Sequence, residues 1–156
     1  MQAGKDYIGV GVGAMVFNDN GELFLAKRGE KAKNERGTWE IPGGSVEFGE
    51  KMKVAIEREF LEEYGMVIKA GKILAVDDHI LPDEGQHWVS ATYIAEHVSG
   101  TPEIKEIGKC SAIGWFKLDN LPQPLSLITQ YNIRDYLQQK EVKSPPNALG
   151  GDLEGG

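Results

Sequence analysis

The feature that most constrains the fold is a mid-chain stretch that lacks helix breakers and is bounded by them. Residues 51–64 contain no glycine or proline, and most of them favour helices. Gly65 follows at the position where helices commonly end in a left-handed residue. Upstream, Pro42-Gly43-Gly44 interrupts a short extended run. The pattern therefore predicts one central helix that is entered from a glycine loop and closed at Gly65.

This helix has three glutamates close together on one side. Glu59, Glu62 and Glu63 are three or four residues apart or adjacent, which places them within an arc of about 100°. Like charges repel at this spacing, and the simplest interpretation is a solvated acidic face. The glycine loop offers another, because its backbone can approach closely and add a carbonyl to carboxylates around a hard cation. Oxygen-only ligands favour Mg²⁺ or Mn²⁺ over zinc.

The flanking sequence predicts strands on both sides of the central helix. Asn18-Asp19-Asn20-Gly21 is a strong turn signal and indicates a hairpin. A closing amphipathic helix is predicted over residues 125–139. Strands are predicted over residues 8–17, 22–28, 38–41, 66–76, 87–97 and 114–117. Several strands with a central and a terminal helix suggest an α/β fold, with a mixed sheet between helices.

Length and composition favour one domain without stabilising disulfides. The 156 residues predict a single domain over 1–140, and residues 141–156 have the composition of a flexible tail. Cys110 is the only cysteine, which favours a reducing, cytoplasmic setting. No apolar run approaches the roughly 20 residues that span a bilayer, so no membrane partner is expected. The net charge of −7 argues against nucleic-acid polymers, although a cation can bring carboxylates to a small phosphorylated substrate.

The spacing of the charged residues resembles a known motif. Gly44, Glu50 and the run Arg58-Glu59-Phe60-Leu61-Glu62-Glu63-Tyr64-Gly65-Met66 follow the pattern GX5EX7REUXEEXGU, where U is a bulky aliphatic residue. This is the box of the Nudix hydrolases, the MutT-like superfamily. The departures are Phe60 and Met66, which are apolar and should affect packing rather than chemistry. Trp39-Glu40-Ile41-Pro42-Gly43-Gly44 and the later Trp115-Phe116 also resemble the family, so the resemblance extends over residues 8–138.

The resemblance implies a Nudix-type α/β/α sandwich and a role for each box residue. The Glu59, Glu62 and Glu63 carboxylates and the Gly43 carbonyl would bind Mg²⁺, with Mn²⁺ as a substitute. Glu50 would be a further ligand or an anchor for Arg58, which would hold the glutamates in place. The cation would activate water against a phosphoanhydride while a carboxylate accepts the proton. Glu59 is one candidate base; Glu103 and Glu106 are loop alternatives, of which we favour Glu106.

The substrate is less clearly indicated than the chemistry. Residues 43–50 resemble the GGxxEFGE form of MutT-type nucleoside triphosphate pyrophosphatases, which release a nucleoside monophosphate and pyrophosphate. Pro82, sixteen residues beyond the box, is instead typical of ADP-ribose pyrophosphatases. The elements that border the substrate cleft in relatives supply five candidate contacts, Phe17, Arg28, Trp39, His79 and Trp88. Family members are often dimers, so a homodimer is a further expectation.

Two other function classes compete with a hydrolase. A ligand-sensing Nudix domain would bind nucleotides without cutting them, but such modules commonly lose box glutamates, which are complete here. A pure interaction module would use the acidic helix as a partner surface, and it leaves the spacing of loop and helix unexplained. The sequence therefore favours a hydrolase.

Overall fold

A single mixed sheet forms the centre of the fold. The computed structural model describes residues 1–143. The strands are β1 (Gly9–Phe17), β2 (Leu23–Arg28), β3 (Trp39–Glu40), β4 (Gly43–Ser45), β5 (Val67–Leu81), β6 (Gln86–Ser99) and β7 (Cys110–Phe116), and the helices are α1 (Met52–Tyr64) and α2 (Leu127–Lys143). The sheet order is β3-β2-β1-β6-β5, with β4 added to β1 and β7 to β2. Only β1 and β6 pair in parallel among these strands, so the predicted mixed sheet is confirmed.

The two helices cover opposite faces of the sheet, and successive side chains of β1 alternate between these two faces. Val12, Ala14 and Val16 point to the α1 side, where they join buried α1 residues such as Ile56 and Phe60. The α2-side cluster consists of Met15, Leu23, Leu25, Ile41 and Ile133, with Phe17 and Trp39 packed against it. The fold is therefore the α/β/α sandwich that the resemblance implied.

The end of α1 confirms the predicted glycine stop. Gly65 adopts φ 67° and ψ 22°, and its N–H donates to the Leu61 carbonyl at 3.0 Å. This left-handed residue turns the chain directly into β5. The box therefore ends where the longest strand of the sheet begins.

Several predicted boundaries differ from those in the structure. Gly43–Ser45 does not simply end an extended run; it forms β4 and pairs with Gly11, Val12 and Gly13 of β1. The predicted loop after residue 76 shortens to the turn Pro82–Glu84, because β5 continues along β6 as far as Leu81. β7 starts at Cys110, four residues before the predicted start, since its pairing with β2 begins there.

The C-terminal prediction is tested only at its start. The final helix extends to Lys143, so residues 141–143 are helical rather than part of a tail. The remainder of the predicted tail, residues 144–156, lies outside the described residues. Within residues 1–143, no helix is both long enough and apolar enough to cross a membrane.

Candidate active site

The Arg58 side chain donates hydrogen bonds to three of the box carboxylates. Its guanidinium donates to both oxygens of Glu50, at 2.6 and 2.9 Å, and to Glu59 at 3.2 Å and Glu62 at 3.1 Å. The hydrogen bonds from Arg58 hold the pKa of Glu50 below its ordinary value. The same bonds to Glu50 raise the pKa of Arg58 above its already high ordinary value. Arg58 is therefore a fixed cation that positions three box carboxylates.

Glu63 is the box glutamate outside this arginine network. Burial raises its pKa to about 8, and its hydrogen bond with Glu59 and the charge of that residue act in the same direction. Two carboxylates so close favour sharing a proton when no cation is present. A hard divalent cation could replace that proton, since its charge and preference for oxygen match this donor pair. Glu59 and Glu63 therefore fit a metal ion such as Mg²⁺.

The glycines of β4 let the sheet approach these carboxylates. A Cβ added at Gly44 would lie 2.3 Å from the Glu59 Cδ atom, so only glycine leaves this carboxylate in its present position. A Cβ added at Gly43 would lie 2.0 Å from the Val12 carbonyl oxygen, in conflict with the pairing of β4 and β1. Glycine at position 43 therefore allows β4 to pair with β1, and glycine at position 44 leaves room for Glu59 of the acidic helix.

Glu59 and Glu63 form one side of a cavity of about 280 Å³. The predicted residues Gly43, Arg28, His79 and Trp88 also line it. Glu50 and Glu62 do not line the cavity; Glu62 is 60% exposed and bonds to Arg58 one turn away. Among residues 1–143, no three acidic, histidine or cysteine side chains form a ready-made metal cage. The arrangement therefore offers a carboxylate pair at the cavity wall, with the other box glutamates held beside it.

Two predicted substrate contacts lie elsewhere. Phe17 stacks on Tyr136 of α2 at a centroid distance of 5.0 Å, and Trp39 packs edge-on against Phe116 at 5.2 Å. Both rings belong to the α2-side cluster and are absent from the cavity lining. They point that way because the alternation of β1 and the pairing of β3 direct them into the core. We leave Phe17 and Trp39 out of the proposed site.

Trp88 lines the cavity, but its ring is already packed. The indole lies against the backbone at Gly4 and Gly9, where an added Cβ would come within 2.6 Å of it. Its Nε1–H donates to Gln86 Oε1 at 2.9 Å, and the Lys33 ammonium lies 5.7 Å from the ring centroid. With 8% of its surface exposed, Trp88 forms a wall rather than an open stacking platform.

His79 is fixed by a loop carboxylate that the sequence analysis missed. Glu35 accepts from the backbone N–H of Leu127 at 2.8 Å, and its other oxygen lies 3.0 Å from His79 Nε2. Burial acts to raise the pKa of Glu35, but the bonds to His79 and Leu127 outweigh it and lower that pKa. Glu35 has a positive φ of 42°, which is uncommon for a residue with a side chain. One glutamate thereby ties the loop after β2 to β5 and to the start of α2.

Arg28 also has an ion-pair partner, Glu40, that was not predicted from the sequence. Its Nη1 donates to Glu40 Oε1 at 2.8 Å, and its Nε donates to the Asn34 carbonyl at 2.7 Å. Burial raises the pKa of Glu40 against the opposing charge of Arg28. Glu40 lies in the Trp-Glu-Ile-Pro-Gly-Gly run, so its closeness to the box could have marked it as a site residue.

Glu106 and Lys109 stand at the loop before β7. Lys109 lines the cavity, and its ammonium lies 3.5 Å from the Glu106 carboxylate. Glu106 is 49% exposed and outside the lining, yet its charge contributes to the raised pKa of Glu63. Glu103 instead pairs with Lys105 at 3.4 Å and is 67% exposed. Of the two loop candidates, Glu106 is the one with an electrostatic link to the box.

Several other residues that line the cavity were not predicted from the sequence. The cavity is completed on its polar side by Lys33, Asn34, Ser90, Thr92 and Asn132. Asn132 could have been noticed, because it follows Ile128 by four residues and precedes Tyr136 by four on the inner face of α2. The others become neighbours only through the pairing of β1 with β6 and the fold of the loops.

Comparisons with known proteins agree with this geometry. The family model described as NUDIX domain matches residues 8–136. An ADP-ribose pyrophosphatase of Methanocaldococcus jannaschii is 32% identical over 84% of this chain and 74% of its own length. An 8-oxo-dGDP phosphatase of Mus musculus is 29% identical over 72% of this chain, which spans only 33% of that protein.

A solved structure supports the same assignment. The MutT NUDIX hydrolase of Burkholderia pseudomallei shares 39% identity and a TM-score of 0.77, over 83% of this chain and 98% of its own. Enzymes of this family act on small nucleotide substrates and generally use a divalent metal ion. The family match covers both the sheet and the box helix, and the chain belongs to the Nudix family as a pyrophosphohydrolase that acts on phosphoric anhydrides.

Proposed function

We propose that this enzyme hydrolyses a nucleoside triphosphate to the monophosphate and pyrophosphate with Mg²⁺. The observation that supports this most is the Glu59–Glu63 carboxylate pair beside the Gly43-Gly44 backbone on the cavity wall. A nucleotide-pool sanitising role would follow from such an activity.

Glu59, Glu63 and the Gly43 carbonyl would hold the cation, with Glu62 and Glu50 as further ligands within reach of Arg58. When bound, Mg²⁺ or Mn²⁺ neutralises phosphate charge and lowers the pKa of a water molecule. Arg58 keeps the Glu50, Glu59 and Glu62 carboxylates oriented through bonds of 2.6–3.2 Å. Its role is positioning, because a planar guanidinium fixes several carboxylates at once.

Glu106 is our candidate for the general base. Glu59 is the alternative, but it is already bonded to Arg58 and to Glu63. Glu106 is exposed enough to meet a substrate, and its charge reaches Glu63. Arg28, His79 and Trp88 would border the nucleoside, where Arg28 and His79 are held by Glu40 and Glu35.

Two observations bear on the choice of substrate. A cavity of about 280 Å³ is at the small end of ligand sites, which favours burial of one nucleoside. Pro82 is exposed at the β5–β6 turn and does not line the cavity. The second candidate is ADP-ribose or another nucleoside diphosphate derivative, which the archaeal relative's name favours.

We also propose a homodimer. β5 forms one edge of the described sheet and exposes Ile73, Val76 and Ile80. Such an edge could pair with a second copy. The cytoplasmic location stays a prediction from the sequence.

The substrate is tested by a panel of nucleotides incubated with the pure protein and Mg²⁺, with products separated by chromatography. The panel contains canonical and oxidised deoxynucleoside triphosphates, methylated dCTP, dinucleoside polyphosphates, NADH and ADP-ribose. We expect a triphosphate to be the best substrate and to yield a monophosphate and pyrophosphate. Faster turnover of ADP-ribose than of every triphosphate would replace the first candidate by the second.

A further inference from the structure

The side of the cavity formed by α2 contains a polar group that the metal chemistry does not use. Asn132 is 1% exposed and lines the cavity. Its Nδ2 donates to the Thr92 hydroxyl at 2.8 Å, which fixes the orientation of the amide. Its Oδ1 is buried and has no hydrogen-bond partner among residues 1–143. A buried acceptor without a partner destabilises the fold, so its presence on a cavity wall indicates a ligand that completes it.

The sheet opposite this amide leaves open space. Gly11 and Gly13 of β1 pair in register with Ser90 and Thr92 of β6, and all four line the cavity. A Cβ added at Gly13 would meet nothing closer than the Pro42 carbonyl oxygen at 3.5 Å. The absence of a side chain at Gly13 is therefore not required by packing of the protein itself. It leaves a flat floor of backbone beside the Thr92–Asn132 pair.

This combination suits a planar ring with an N–H group at its edge. The glycine backbone offers a flat surface, Ile41 and Ile128 add apolar contact nearby, and Asn132 offers an acceptor. A ribose hydroxyl is also a donor, but the ribose ring is not planar and would make little contact with the flat backbone at Gly13. We infer that Asn132, held by Thr92, is a specificity-determining residue that accepts a hydrogen bond from the exocyclic amino group of the nucleobase. This rests on the proposed nucleotide substrate and identifies the group that is read.

Binding of nucleoside monophosphates in EDTA tests the inference apart from hydrolysis. GMP is compared with IMP, and AMP with purine riboside monophosphate, because each second member lacks only the amino group. For the base that binds more tightly, we expect loss of the amino group to weaken binding by about 10-fold or more, the usual effect of one buried hydrogen bond. In Asn132→Leu the two members should bind equally, and in Thr92→Val the difference should shrink. Gln138→Leu, an exposed change on the same helix, should keep it.

Two further sets of binding measurements test whether a ribose hydroxyl is the donor instead and whether the backbone surface at Gly13 contacts the base. The 2′-deoxy and 3′-deoxy monophosphates should bind within about 2-fold of the parent, and Gly13→Ala should weaken all of them while unfolding at the same temperature as the unmodified protein. Equal binding of both members of each pair to the unmodified protein, sensitivity to the hydroxyls instead, or no binding at all would overturn the inference. Discrimination without hydrolysis of any triphosphate would instead contradict only the proposed function.

Discussion

At the scale of single residues, Arg58 separates the four box glutamates into three that it contacts and one that it does not. Arg58 bonds to Glu50, Glu59 and Glu62, which leaves Glu63 without a cationic partner in the arginine network. Burial, together with the hydrogen bond and the charge of Glu59, therefore raises the pKa of Glu63 to about 8. A metal ion at this point would oppose that rise.

The raised pKa of Glu63 predicts how pH affects the metal-free protein. Below pH 4.5 both the folded and the unfolded states keep the proton, while between 4.5 and about 8 only the folded state does. The free energy of unfolding in EDTA should therefore fall over this interval, by roughly a few kcal/mol at most. Glu63→Gln should abolish that part of the slope and make the metal-free protein more stable at pH 8.

Urea denaturation at a series of pH values measures this difference. Glu96→Gln, an exposed substitution on β6, is the control and should keep the slope of the unmodified protein. Addition of Mg²⁺ at pH 8 should stabilise the unmodified protein more than Glu63→Gln. Parallel pH curves for the unmodified protein and Glu63→Gln would mean that the pKa of Glu63 is not raised in the folded protein.

At the scale of elements, the three-residue strand β4 links the sheet to the acidic helix. It pairs with Gly11, Val12 and Gly13 of β1 on one side and meets Glu59 of α1 on the other. Neighbouring glycines therefore serve different purposes. At Gly43 an added Cβ would meet rigid backbone, and at Gly44 it would meet the end of a flexible side chain.

The two glycines should consequently respond differently to alanine. Gly43→Ala is expected to lower stability by about 1–3 kcal/mol because the Val12 carbonyl cannot move aside without disturbing the sheet. Gly44→Ala should cost less stability but lower kcat at least about 10-fold, because Glu59 must leave its position. Thermal unfolding and steady-state kinetics of both variants decide the matter. Equal losses of stability with full activity in Gly44→Ala would contradict this division of roles.

At the scale of the whole molecule, sequence reasoning succeeded where the information is local. The helix ending at Gly65 and the carboxylate spacing depend on residues within one or two turns, and α1 follows the prediction closely. The mixed sheet between two helices is likewise confirmed. Local signals such as breakers and periodicity determine these features directly.

Features that depend on long-range pairing could not be predicted from the sequence. Trp39 was expected near the substrate, but the register of β3 directs it to Phe116 in the α2-side cluster. The partners of Glu35 and Asn132 could not be predicted, because Glu35 bonds to the start of α2 across 92 residues and Asn132 bonds to β6 across 40. The end of β5 differs from the predicted end at residue 76 for the same reason, since antiparallel pairing with β6 continues to Leu81.

The most direct test of metal-dependent anhydride cleavage is the Mg²⁺ titration of triphosphate hydrolysis by the unmodified protein, Glu62→Gln, Glu63→Gln and the Glu96→Gln control. We expect Glu62→Gln and Glu63→Gln each to lose about 100-fold or more of the Mg²⁺-dependent kcat. Both should remain folded by circular dichroism, and Glu96→Gln should match the unmodified protein. Unchanged Mg²⁺-dependent turnover in Glu63→Gln would contradict the assignment of the Glu59–Glu63 pair as the metal site.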